Sequence, residues 1–302
     1  MKALVVLLIA LSSVSAYWST GHMIISRIAH DDLLKTAPEV FKQIKEEVRI
    51  LQQFSKEANH SFVESAVWAD DNKDIEFGAF TQWHYVDTPY IMPDFHGETE
   101  VENMNVTWAI NQMKRTLNNT SVPQFNSDLA LSFAWRYLIH LVGDLHQPLH
   151  ASSMYSKMFS EGDQGGNLFL LKFPANPQIT NLHALWDACV DQYGSLYAPL
   201  NQTEWSLIGE IASNLTQQTP RSKVADRVRI LDEKVWAQES FKFSKDIVYD
   251  GINPNDTPSP QYIERGRRFI NEQLVVAGYR LSDILKSLHH KRFKTSIKGV
   301  SE

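Results

Sequence analysis

The chain has 302 residues, 43 % of them hydrophobic and 21 % charged, a composition that excludes a low-complexity or wholly disordered protein and fits a globular one. Its formal net charge of −6 excludes nucleic-acid binding through a broad basic face, so any phosphate it attracts needs a local source of positive charge. A single cysteine, Cys189, cannot close an intrachain disulfide, and stability must come from packing, bound metal or both.

Lys2, the apolar run Ala3 to Ala10 and the ending Val14-Ser15-Ala16 have the layout of a cleavable secretory signal over residues 1–16, with the mature chain beginning at Tyr17. The apolar run is shorter than the roughly 20 residues that span a bilayer, and no later stretch comes closer, so no membrane anchor is expected. Seven N-x-S/T sequons, at Asn59, Asn105, Asn118, Asn119, Asn201, Asn214 and Asn255, fit N-linked glycans and a secreted or lysosome-like destination.

Residues 17–302 show no repeat or linker and little strand-type alternation, so they are expected to form one mostly helical, all-α domain. Met23 to Leu34, Pro38 to Leu51 and Ser61 to Ala69 read as helices. The most apolar segment, Asp128 to Leu145, places Leu131, Trp135, Leu138, Leu141, Val142 and Leu145 at helical spacing before Pro148 and reads as a buried central helix. Gly165 and Gly166 mark a turn, and Leu168 to Phe173 suggests a short strand or hairpin. Helices are expected at His183 to Gln192, Thr203 to Gln217, Asp226 to Asp246 and Gln261 to Leu288, with the basic tail Lys286 to Lys298 as a frayed, solvated end.

On the central helix, His140 and Asp144 stand four residues apart and project from one face, as two ligands of one ion would. A single such pair is more often a hydrogen-bonded core or surface pair. A second pair at His183 and Asp187, with His150 between, in a chain of only eleven histidines, turns the reading toward metal. By contrast, His146 falls about 240° around the helix from His140 and reads as structural. His30, His60, His96, His289 and His290 read as surface residues, and Cys189 as a buried small hydrophobe.

Ser19-Thr20-Gly21-His22, Trp68-Ala69-Asp70, His84-Tyr85-Val86-Asp87, His140-Leu141-Val142-Gly143-Asp144, Gln147-Pro148-Leu149-His150, Gly165-Gly166-Asn167 and His183-Ala184-Leu185-Trp186-Asp187 occur in order along the chain. This set resembles the zinc-dependent class I nucleases, the single-strand-specific nucleases and 3′-nucleotidases that share a fold with zinc phospholipase C. The resemblance implies three Zn2+ ions: Asp70, His84, His140 and Asp144 on the first, and His150, His183 and Asp187 on the third. Asp144, His22 and the main-chain amine and carbonyl of Tyr17 would hold the second. Family members usually carry Trp where this chain has Tyr17, and they usually have disulfides. The backbone supplies the Tyr17 ligands, so the side-chain change leaves that role intact.

Three zinc ions beside three carboxylates leave a local charge of about +3, which can draw in a phosphodiester. The resemblance implies attack on phosphorus by a metal-activated hydroxide, with 5′-phosphate products. It assigns Asp70 and Lys73 to catalysis, and Tyr85, Asp87 and Asn167 to binding a base of single-stranded DNA, RNA or a 3′-nucleotide. The rivals are a zinc-dependent phospholipase C and a catalytically inactive secreted binding protein of the same fold. The Tyr85, Asp87 and Asn167 trio argues against the first, and the complete ligand set against the second.

Overall fold

The structure, a computed structural model, describes residues 18–54, 60–73, 78–118 and 124–298. Residues 1–16, expected to form a leader, and Tyr17, Asn59 and Asn119 lie outside the described residues. The described residues are mostly helical, as the periodicity predicts.

Helix α1 (Ser19–Thr36) is buried on nearly every side through its first half and packs against α5 (Gln124–Asp144), α7 (Gln202–Gln218) and α10 (Pro260–Lys298). Gly278 of α10 permits that crossing, because a Cβ there would lie 2.6 Å from Ile28 Cβ. From Ala134 to Asp144, all of α5 is buried, the expected fate of a helix apolar all round. Helix α2 (Pro38–Arg49) lies on it, and so does α4 (Val106–Asn118), a helix not anticipated from the sequence. Val106, Ala109, Ile110, Met113 and Leu117 form the buried stripe of α4, and Asn105 Oδ1 caps it by accepting from Thr107 N at 3.0 Å and Trp108 N at 3.3 Å.

Several boundaries differ from expectation for identifiable reasons. The predicted helix at Ser61 to Ala69 is a 3-10 turn, Glu64–Val67, running into α3 (Trp68–Lys73), which puts Asp70 and Lys73 on one turn. Helix α6 (Leu182–Asp187) stops well before Gln192 because Cys189, Val190 and Asp191 take left-handed φ angles of 53°, 56° and 51°. Arg267 satisfies the carbonyls thus released, donating from Nε to Val190 O at 3.0 Å and from Nη2 to Asp191 O at 2.7 Å. The helix expected over Asp226 to Asp246 divides into α8 (Ala225–Val228), α9 (Glu233–Phe243) and a π-helical turn, Ser244–Val248. Asp232 starts α9 afresh by accepting from Lys234 N at 2.8 Å. The tail is no frayed end: α10 continues to Lys298, with Leu288 buried and Lys286 Nζ 3.2 Å from Asp32 and 2.9 Å from Asp283.

The regular strands lie elsewhere than Leu168 to Phe173, which contributes only an isolated antiparallel bridge, Leu170 to Asn181. Strands β1 (Pro89–Ile91) and β2 (Ser153–Tyr155) pair in parallel with Tyr90 opposite Met154. Together with the bond from Val86 N to His150 O at 2.8 Å, this small sheet ties the segment carrying His84 and Asp87 to the turn carrying His150.

Candidate metal centre and adjoining pocket

Six elements deliver the candidate ligands to one place. His22 comes from the first turns of α1, Asp70 from α3, and His84 from the end of the 3-10 helix Gly78–His84. His140 and Asp144 come from the last turns of α5, His150 from the 3-10 turn Pro148–Ala151, and His183 and Asp187 from α6. They form three groups whose ligand atoms lie within 4.8 Å of one another: His22, His140 and Asp144; Asp70, His84 and His140; and His150, His183 and Asp187.

Backbone carbonyls fix the imidazoles. His140 Nδ1 donates to Ala66 O at 2.6 Å, His150 Nδ1 to His84 O at 2.8 Å and His183 Nδ1 to Gly165 O at 2.7 Å. A carbonyl only accepts, so each Nδ1 carries the proton and each Nε2 presents its lone pair to the group it faces. Two glycines make room. A Cβ on Gly143 would lie 2.6 Å from His22 Nδ1, and this glycine lets the His22 ring stack on His140 with centroids 4.0 Å apart. Gly165 has φ +61°, and a Cβ there would lie 2.6 Å from Leu149 O.

Within the groups, Asp144 Oδ1 is 3.2 Å from His22 Nε2, and Oδ2 is 3.0 Å from His84 Nδ1 and 3.1 Å from His140 Nε2. Asp70 Oδ1 is 3.5 Å from His84 Nδ1 and 3.6 Å from His140 Nε2, while Asp187 lies 3.1 Å from His183 and 3.7 Å from His150. Yet both Asp144 oxygens and the Nε2 atoms of His150 and His183, all buried, complete no hydrogen bond. They face shared points rather than each other. A tetrahedral ion with bonds of ~2.0–2.1 Å would hold its donors about 3.3 Å apart, which falls within the observed 3.0–3.7 Å. Neutral imidazole and carboxylate are normal zinc donors, so the residues present fit the metal that the sequence implies.

The charge balance asks for a cation too. Burial disfavours a charged His140, but Asp144 and Asp70 outweigh it and raise its pKa to about 9. Burial would raise Asp70, yet His140, Lys73 and His84 hold it at about 2, and His140 holds Asp144 well below the carboxylate range. Burial lowers His22 and His84. Lys73, itself buried, places Nζ 3.2 Å from Asp70 Oδ1.

Beside the third group opens a cavity of about 350 Å³ lined by Tyr85, Asp87, Glu161, Gly165, Asn167 and His183 among others. The three residues assigned to base binding therefore share one pocket. Loss of water and the neighbouring Asp163 carboxyl push Asp87 up to about 6. Of the remaining ligand calls, Tyr17 lies outside the described residues; its neighbour Trp18 donates from its backbone N to Asp187 O at 2.9 Å, which holds Trp18 beside the third group.

Sequence reasoning missed Gln147 and Glu161. Gln147 is fully buried, donates from Nε2 to Asp187 Oδ1 at 2.6 Å and accepts from Leu149 N at 2.6 Å. Its position just before Pro148 was the available signal, since that is where a 3-10 or helical turn is capped. His146 is structural, as expected: Nδ1 donates to Val142 O at 2.7 Å, and Nε2 accepts from the buried Arg280 at 2.9 Å. His30 is no surface residue, being half-buried between Phe41 and Trp205 with Nδ1 2.7 Å from Asp31. Cys189 is buried and lacks activation, its thiol pushed up by loss of water and then by Asp187.

Residues 17–290 match the model of the S1/P1 Nuclease family. The chain is 25 % identical to Endonuclease 2 of Arabidopsis thaliana over 294 residues, covering 93 % of each protein. It is 26 % identical to Endonuclease 1 of the same plant over 93 % of this chain and 90 % of the relative. Against Nuclease S1 of Aspergillus oryzae the identity is 25 %, over 72 % of this chain and 75 % of the relative.

Proposed function

The chain belongs to the S1/P1 nuclease family, and from that premise we propose a secreted, three-zinc phosphodiesterase that cleaves single-stranded DNA and RNA to 5′-phosphate products. On this reading it also removes the phosphate from 3′-nucleotides. The observation that carries the proposal is the convergence of three His/Asp groups in which both Asp144 oxygens and the Nε2 atoms of His150 and His183 are buried without a completed hydrogen bond.

Asp70, His84, His140 and Asp144 would hold one zinc, and His150, His183 and Asp187 another. His22, Asp144 and the amine and carbonyl of Tyr17 would hold the third. Zinc in such sites supplies an acidified water and positive charge toward a phosphoryl oxygen. Asp70 sits at the open edge of its group and accepts a hydrogen bond from the attacking water, orienting it toward phosphorus. Lys73, held 3.2 Å from Asp70, offsets negative charge that grows on the phosphoryl oxygens. Tyr85 stacks on a base while Asp87 and Asn167 bond its edge, and a base paired in a duplex cannot enter that pocket. Secretion rests on the leader over residues 1–16. The exposed sequon residues Asn118, Asn201, Asn214 and Asn255 are the glycan sites this reading favours.

The test is an assay on single-stranded DNA, duplex DNA and phosphatidylcholine, before and after chelation and with zinc restored. Zinc-dependent cleavage of the single strand alone, leaving 5′-phosphate ends, is the expected result. Preferential hydrolysis of phosphatidylcholine, or 3′-phosphate ends, would overturn it.

A further inference from the structure

The pocket beside the third His/Asp group carries two carboxylates, Asp87 and Glu161, beside the hydroxyls of Thr81 and Tyr85 and the amides of Gln164 and Asn167. Asp87 makes no hydrogen bond or ion pair with another described residue, although it is half-buried and lines the cavity. Glu161, exposed on the rim, brings a second carboxylate. Asn167 donates from Nδ2 to Gln164 O at 2.8 Å, which leaves its carbonyl oxygen and a second N–H for other partners. No lysine or arginine lines the cavity, and its two carboxylates favour a donor-bearing group over an anion.

Among the common bases, guanine alone carries two adjacent donors, N1–H and the N2 amino group, on its Watson–Crick edge. A carboxylate can take both in parallel, the bidentate arrangement that makes charge-assisted pairs strong. Adenine and cytosine offer one amino group beside an acceptor nitrogen, and uracil or thymine sets one imino donor between two carbonyls. Those carbonyls would face a carboxylate unpaired, the situation that polar sites reject most strongly.

We propose that this pocket selects guanine, with Asp87 accepting from N1–H and N2 and Glu161 acting as the specificity-determining residue that accepts the second N2 hydrogen. The inference rests on the nuclease reading above and adds to it a base preference. Glu161 sits one residue before Gly162, whose φ is +84°, and two before Asp163, which is anchored by Met154 N at 2.8 Å and Tyr249 Oη at 2.8 Å. That anchored turn fixes where the Glu161 side chain starts.

Calorimetric titration of the zinc-loaded protein beginning at Tyr17 with guanosine, adenosine, cytidine and uridine tests this directly. Guanosine should bind tighter than uridine by about tenfold or more, the discrimination of one good bidentate pair. Asp87→Asn should abolish that ratio, and Glu161→Gln, an exposed and conservative change, should reduce it severalfold. Equal or tighter binding of uridine or adenosine by the unaltered protein would overturn the proposal, as would an unchanged ratio in Glu161→Gln. Hydrolysis of single-stranded DNA by the same preparation separates the two claims. Cleavage without guanosine preference overturns the base assignment alone, and guanosine preference without cleavage overturns the nuclease reading.

Discussion

Replacing Gln147 with Leu tests whether the third His/Asp group is a built metal site. The carboxamide touches that group from both ends, through Nε2 to Asp187 Oδ1 at 2.6 Å and through Oε1 to Leu149 N at 2.6 Å, in the turn that presents His150. Leucine fills similar volume but removes a hydrogen bond to a charged group, ~1.5–3 kcal/mol, and strands a buried backbone N–H at a further cost of ~1–3 kcal/mol. Asp187 is then free to rotate away from His183, and loss of an outer partner of this kind lowers metal affinity by roughly 10–100-fold. Competition titration of the metal-free variant with a zinc chelator of known strength should show one site of the three weakened by that factor and the other two nearly unchanged. Three sites with unaltered affinity would refute the reasoning, because Gln147 would then be filling space only.

Other perturbations follow from the same geometry. Asp144→Asn should remove two zinc ions rather than one, since Asp144 faces His22 through one oxygen and His84 and His140 through the other; elemental analysis that still finds three would contradict the bridging role. Gly143→Ala places a methyl 2.6 Å from His22 Nδ1, so denaturant melts should show a loss of ~1–3 kcal/mol and metal analysis the loss of the ion that His22 serves. One extra residue before Tyr17 should abolish most activity by displacing the amine, and full activity in a chain whose extension is verified by N-terminal sequencing would count against that ligand. In the metal-free protein, Asp87 titrates at about 6 against 3.8 unfolded, so its neutral form favours the fold and that contribution is lost as pH rises from about 4 to about 6. Asp87→Asn should therefore stabilise the metal-free protein by up to about 3 kcal/mol at pH 7.5 and by little at pH 4, as read from urea melts at both values.

What the sequence discloses and what it hides divide along physical lines. Helical periodicity locates α1, α2, α5, α7 and α10 within a few residues at most boundaries, because their buried stripes repeat every three or four positions. The pairs His140 with Asp144 and His183 with Asp187 are legible for the same reason, since a four-residue step keeps both on one helix face. The stripe of α4 is legible too, but it is short and lies between the aromatic-rich loop and the far more apolar central helix. Other features depend on distant partners and leave no local trace. The early end of α6 relies on Arg267, some 76 residues away, to satisfy its released carbonyls. His30 is shielded by Phe41 and Trp205, and Glu161 reaches its pocket from irregular backbone. Gln147 lies between these cases, with a capping position readable in the sequence and a partner, Asp187, that only folding brings near.

Whether three zinc ions on these His and Asp residues make the proposed single-strand nuclease is decided by a zinc titration of the metal-free protein, with hydrolysis of single-stranded DNA followed at each step and bound zinc counted in parallel. Cleavage should be absent without zinc and should rise until it levels off at three ions per chain. Full activity in the metal-free protein, or a plateau reached at one bound ion, would contradict it.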